Sequence, residues 1–196
     1  GTEVAEVTDG ILKANHTIVV ETINKYKGGG GTGGPGSEVY SGYLTINKDS
    51  SSGIKKNMPV IAYQKGELGL VGKIIQVGTF SSIVMPIYNS NCSISTRIQN
   101  TRDLGLVTGN GSKDVPLSMT DIPKRVLDEL HIRDVIVTSG ENNNYMKDIP
   151  VGAISKVTVI DYNSSLDIEL TPIVDFSRLE NVIVVNQKEI NDTKRR

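Results

Sequence analysis

Short runs of β-branched and aliphatic residues, broken roughly every 8–12 positions by glycine, proline, asparagine or serine, set the rhythm of this chain. Residues 16–23, 39–46, 58–63, 70–77, 82–88, 94–98, 105–108, 116–121, 134–138, 149–157, 165–172 and 181–185 all carry that β signal. Within 82–88, Ile83, Met85 and Ile87 alternate with polar or small neighbours and share one face of a strand. Strand parity then turns Tyr88 outward. Asn110-Gly111 is the strongest hairpin dipeptide present. So many short strands separated by turn residues predict an all-β sandwich or barrel.

Residues 134–157 organise this pattern as strand, polar loop, strand. The second half has an echo. Val71-Gly72-Lys73-Ile74-Ile75-Gln76-Val77 matches Val151-Gly152-Ala153-Ile154-Ser155-Lys156-Val157 at Val, Gly, Ile and Val. Glycine weakens a strand unless the strand must bend or another backbone comes close. Its reuse predicts two similar β units, each with one sharply bent strand.

Two stretches depart from the β pattern. Val4, Val7, Ile11 and Ala14 fall at three- and four-residue spacing, the seam of a coiled coil, so residues 1–15 read as the end of a dimerising helix. Asp121-Ile122-Pro123 opens a helix-like run to Leu130, with Asp121 as cap and Pro123 in the first turn. Residues 187–196 are polar, end in Arg195-Arg196, and read as a disordered tail.

Charge and composition narrow the chemistry. The 196 residues carry a net charge of −1, and the basic residues come in separate pairs without interleaved aromatics, which speaks against nucleic acid. No apolar run approaches the ~18 residues of a membrane span. The chain opens on Gly1-Thr2 instead of methionine, which reads as a cleavage or cloning remnant. Cys92 is the one cysteine and His16 and His131 the only histidines, so no Cys/His zinc site assembles and no cofactor or metal is expected. Gly28, Gly30 and Gly33 spell G-x-G-x-x-G, but Pro35-Gly36 and a strand follow where a phosphate site needs a helix; 28–36 is a loop. His131, Asp134 and Ser139 contain the residue types of a triad. They are neighbours in sequence and Ser139 lacks a Gly-x-Ser-x-Gly context, so it reads as a turn serine. Function is expected in surfaces.

In order along the chain stand Gly53-Ile54-Lys55-Lys56-Asn57-Met58-Pro59-Val60, Gly69-Leu70-Val71-Gly72, Val137-Thr138-Ser139-Gly140, Pro150-Val151-Gly152 and Pro172-Ile173-Val174-Asp175-Phe176. In this combination, over about residues 43–185, the chain strongly resembles the MreC family of bacterial rod-shape-determining proteins. The insert at 28–36 and the polar segment after Gly140 depart from the family's usual look. The resemblance implies a coiled-coil helix followed by two small six-stranded β-barrels, arranged as in chymotrypsin-like proteases but without a triad. It also implies a periplasmic or extracytoplasmic place behind a membrane anchor, homodimerisation, and a scaffold role in cell elongation. The partners it implies are a class B penicillin-binding protein, MreD and associated peptidoglycan synthases. A degenerate protease-like domain that binds peptide or glycan directly is the alternative.

The strands can be shared out in two ways. One makes the first barrel discontinuous, 16–81 plus 158–186 and including Ser165–Pro172, with the second barrel at 82–157. The other sets two barrels in tandem, split near residue 90. Tyr43, Phe80 and Tyr88 are the expected partner-binding aromatics.

Overall fold

The computed structural model describes residues 17–20, 23–25, 42–141, 145–160, 162 and 164–186. The expected helix at 1–15, the insert at 28–36 and the tail at 187–196 lie outside the described residues. The strands are β1 (Thr17–Val20), β2 (Ile23–Lys25), β3 (Leu44–Ile46), β4 (Pro59–Gln64), β5 (Glu67–Val77), β6 (Ser82–Pro86), β7 (Ser93–Ile98), β8 (Leu104–Thr108), β9 (Leu117–Pro123), β10 (Val135–Thr138), β11 (Pro150–Ile160), β12 (Ser165–Pro172) and β13 (Val182–Val185). They form a seven-stranded sheet, β1-β13-β4-β5-β6-β3-β2, and a closed barrel, β10-β11-β12-β9-β8-β7. The protein is all-β among these residues apart from short 3-10 turns.

The seven-stranded sheet is closer to a barrel than its strand count implies. Only Glu21 and Thr22 separate β1 from β2, which stand at its opposite ends. Three Cα–Cα steps of about 3.8 Å keep those ends within roughly 11 Å, so the sheet curls back on itself. With β1 and β2 counted as one interrupted strand, each system is a ring of six.

The two rings repeat one plan. β4-β5-β6-β3 are neighbours in the first and β10-β11-β12-β9 in the second. β13 beside β4 corresponds to β7 beside β10. The long strands β5 and β11 both shift register just after the repeated glycine, between Ile74 and Gln76 and between Ile154 and Lys156. At that point the Asn57 N–H donates to Ile74 O (2.7 Å) and the Ile74 N–H to Met58 O (2.9 Å). The Arg133 N–H likewise donates to Ile154 O (2.8 Å) and the Ile154 N–H to Asp134 O (2.9 Å). Asn57 (φ 72°) and Arg133 (φ 77°) share the left-handed conformation on the segments that lead into β4 and β10. The expected bend in both strands is therefore a β-bulge, pinned by a two-bond clasp.

Each glycine lies opposite a proline, Gly72 facing Pro86 and Gly152 facing Pro172. A Cβ on Gly72 would come within 1.9 Å of Met85 O, and one on Gly152 within 2.9 Å of Thr171 O. Both carbonyls belong to the residue before the proline.

The chain divides into two compact units. One holds the described residues up to Ile61, Val71–Pro86 and the residues from Leu179 onward; the other holds Ala62–Leu70 and Ile87–Arg178. In the first, Leu44, Ile46, Val60, Ile61, Ile74, Val84 and Val184 are buried. In the second, Ile94, Ile98, Val107, Leu117, Met119, Ile122, Ile136, Leu166, Ile168 and Leu170 fill the barrel. The β4–β5 tip is held in the second unit by Gln64, whose amide donates to Asp175 O (3.1 Å) and accepts from Asp175 N–H (2.8 Å).

Four sequence expectations are corrected. Ser165–Pro172, assigned to the first barrel, pairs with β11 and β9 in the closed barrel. Ser82–Pro86, assigned to the second, pairs with β5 and β3 in the first sheet. The run after Asp121 is strand as far as Pro123, then a 3-10 turn over Lys124–Glu129. Asp121 sits at φ 69° where the β9–β12 register slips, so it serves a bulge and not a cap. The hairpin expected at Asn110-Gly111 is present, since the dipeptide stands in the connection between the antiparallel pair β8 and β9; the loop is longer than two residues, and in it Asn110 Nδ2 donates to Ser118 Oγ (3.1 Å).

Replacing Gly72 by alanine forces the new methyl into backbone that cannot yield, and should cost on the order of 3 kcal/mol or more. Gly111 has φ 97° and nothing within 4 Å of a built Cβ, so Gly111→Ala should cost only the backbone strain, about 1–2 kcal/mol. Urea unfolding midpoints of the two variants, compared with the parent, measure the difference.

Candidate functional site

The residues of the arithmetical triad do not form one. Ser139 is buried, donates from Oγ to Ser95 Oγ (2.9 Å) and accepts the Glu141 N–H (3.1 Å). His131 turns to Asp134 instead, with Nδ1 3.8 Å from Oδ2 and its own N–H donating to that oxygen (2.9 Å). Ser139 and its neighbour Thr138 close a loop. The Thr138 hydroxyl donates to Met146 O and accepts the Ile149 N–H at 2.9 Å. No group of three or more His, Cys, Asp or Glu among the described residues could hold a metal ion.

The expected surface aromatics separate into three cases. Phe80 is 85% exposed in the β5–β6 turn. That turn is tightened by the Gly78 N–H donating to Ser81 O (2.8 Å), and its other exposed residue, Thr79, is uncharged. A phenylalanine held clear of its own fold forgoes about 1.5–3 kcal/mol of burial, and supplies a rigid apolar knob for another surface. Tyr43 is half-buried, between Gly42 at φ 85° and buried Leu44.

Tyr88 is not a surface residue. It is only 8% exposed and its ring stands edge-on to Phe176, with centroids 4.8 Å apart at 88°. Burial, and then the charge of Asp114, raise its phenol pKa. The parity argument fails because β6 ends at Pro86 and Tyr88 lies in the turn that starts at Ile87. Parity in this stretch also holds only in part: Met85 and Ile87 are buried as expected, but so are Ser82 and Val84, and Ile83 is half-buried. The Ser82 hydroxyl satisfies itself on Lys48 O (2.7 Å), which lets a polar residue hold a core position.

Sequence reasoning missed two apolar features. Tyr162, between β11 and β12, is 89% exposed. Under the shared plan its hairpin is the counterpart of the one that carries Phe80, so the repeat itself held the signal. On β8, Leu104 and Leu106 are 42% and 36% exposed. Their outward aim follows from Gly105, whose inward position is filled by Met119 and Ile122; a Cβ there would lie 2.6 Å from Met119 Cε.

Comparison with known proteins places this architecture. The profile of "Rod shape-determining protein MreC, barrel core" matches residues 35–186. The cell shape-determining protein MreC of Haemophilus influenzae is 25% identical over 158 residues, 81% of this chain and 43% of that protein. The chain thus spans less than half the length of that curated relative. The crystal structure of MreC from Pseudomonas aeruginosa aligns with a TM-score of 0.73 at 17% identity, covering 87% of this chain and 99% of that one. MreC from Helicobacter pylori, in a complex with Penicillin-Binding Protein (PBP2), aligns with a TM-score of 0.54 at 16% identity, over 74% and 88% of the two chains. The likeness to the solved structures shows the fold, and the profile match shows the family: this chain belongs to the family of rod shape-determining protein MreC, whose barrel core it contains.

Proposed function

We propose that this chain is part of a non-catalytic scaffold of the cell-elongation machinery, acting outside the cytoplasmic membrane by binding a class B penicillin-binding protein. The observation that carries this reading is Phe80, held 85% exposed at the tip of a tight, uncharged turn. An MreC of the same fold has been captured in a complex with PBP2. Phe80 would enter an apolar pocket of the enzyme, with half-buried Tyr43 at the rim, and so favour one enzyme conformation over another. The engagement of Ser139 with Ser95 supports the absence of hydrolytic chemistry. In this reading MreD and other elongation proteins are further partners, and the chain associates with a second copy of itself.

The decisive experiment is a binding titration of the chain against the extracytoplasmic region of the same organism's elongation penicillin-binding protein. Phe80→Ala should weaken saturable binding about tenfold or more, as loss of a hot-spot aromatic does, and leave the unfolding midpoint unchanged. Tyr88→Ala should instead cost about 3–5 kcal/mol of stability, the usual loss for a buried aromatic. Unaltered binding by Phe80→Ala removes the proposed surface. A fluorophosphonate probe should leave every serine unlabelled; labelling of Ser139 would overturn the non-catalytic reading.

A further inference from the structure

Among the described residues, Arg97 is a cation without an anion. It lies at an outward position of β7, between Thr96 and Ile98, which are both fully buried inside the barrel. Its Nε is buried without a hydrogen-bond partner, and its side chain makes no ion pair with the described residues. Three of the four other arginines of the same unit face carboxylates, Arg102 to Asp148 (3.5 Å), Arg125 to Asp103 (4.0 Å) and Arg178 to Asp175 (3.7 Å), and the fourth, Arg133, is exposed to solvent. A guanidinium stays charged at any ordinary pH and presents donors in a fork that matches a carboxylate. Burying one of those donors without an acceptor is unfavourable, and the free protein bears that cost.

The surroundings indicate what would relieve it. Arg97 pairs across the ladder with Leu104 on one side and Val137 on the other; Leu106 pairs with Ser95 and Thr120. Leu104 and Leu106 are both on the outer face, each more than half covered. They lie flush with the barrel and do not project as membrane-inserting side chains do. This is a shallow apolar stripe beside a half-buried cation with one unsatisfied donor.

We propose that the outer face of β7 and β8 is a second docking surface, separate from the Phe80 turn, for an extended segment of a protein partner that carries a carboxylate between apolar side chains. The carboxylate accepts from the Arg97 fork and the flanking apolar groups cover Leu104 and Leu106. In an extended chain, residues i, i+2 and i+4 share one face, so the segment needs the order apolar, x, acidic, x, apolar.

The Arg97 Nε–H resonance of the isotope-labelled protein reads this site directly. Titration with the peptide acetyl-Leu-Ser-Glu-Ser-Leu-amide should shift that resonance saturably. The Leu-Ser-Gln-Ser-Leu analogue should bind at least tenfold more weakly, and phosphatidylglycerol vesicles should leave the resonance in place. Arg97→Met should abolish the peptide response and raise Tm by about 2–4 °C, because a buried donor without an acceptor is replaced by an apolar chain of similar reach. An equal response to both peptides, or none, overturns the site. A shift with vesicles alone overturns the protein partner. A lower Tm for Arg97→Met makes the arginine structural and overturns the proposal by itself.

Discussion

The clasp at the bulge of each long strand is what the rest of this fold depends on. At Ile74 and at Ile154 both backbone polar groups leave the regular ladder and bond to the segment entering β4 or β10. An eleven-residue strand can then serve two pairings: β5 lies between β4 and β6, and β11 between β10 and β12. Without the bend these long strands would remain flat, and a six-membered ring needs them strongly coiled. The left-handed conformation of Asn57 and Arg133 is part of the same device. Side chains dislike that conformation, and it persists because two hydrogen bonds depend on it.

Glycine and proline cooperate at this point. Proline brings no N–H to the ladder, and the carbonyl before it presses close to the neighbouring strand. At Gly72 and Gly152 the neighbour has no Cβ to obstruct that approach. The spacing is tighter at Gly72, where the built Cβ falls 1.9 Å from Met85 O, than at Gly152, 2.9 Å from Thr171 O. The two copies of the motif therefore share a geometry but tolerate change unequally.

Much of this was legible in the residues. The Val-Gly-x-Ile-x-x-Val repeat announced two related units with bent strands, and turn residues marked most strand ends. Pairing was not legible. Nothing local to Ser165–Pro172 says that its partners are β9 and β11, since strand partners are chosen by the fold and not by the strand. Asp121 and Pro123 resemble a helix start, yet Ile122 and Val126 are buried as a strand and 3-10 turn allow, and tertiary packing overrides the cap signal. The exposure of the aromatics was half legible: Phe80 stands in a turn with serine and threonine and faces outward, whereas Tyr88 could not be placed once Pro86 ended the parity. Tyr162 was hidden because the repeat was traced through its glycines and not through its hairpins. Arg97 gives no sign in the sequence, where an unpaired charge looks like any other.

The first ring is closed by β13, the last strand among the described residues, while β3 to β6 come early. Residues 62–70 and 87–178, which make up the other unit, are all complete before β13 emerges. As the chain is made from its N-terminus, the ring begun first is finished last, and the later unit can fold while the earlier one still waits for its final strand. For that interval the edge of β4 that β13 will cover stays unpaired and open to other strands. The circular plan thus gives the nascent chain a period of exposure that a tandem arrangement of the same two rings would avoid.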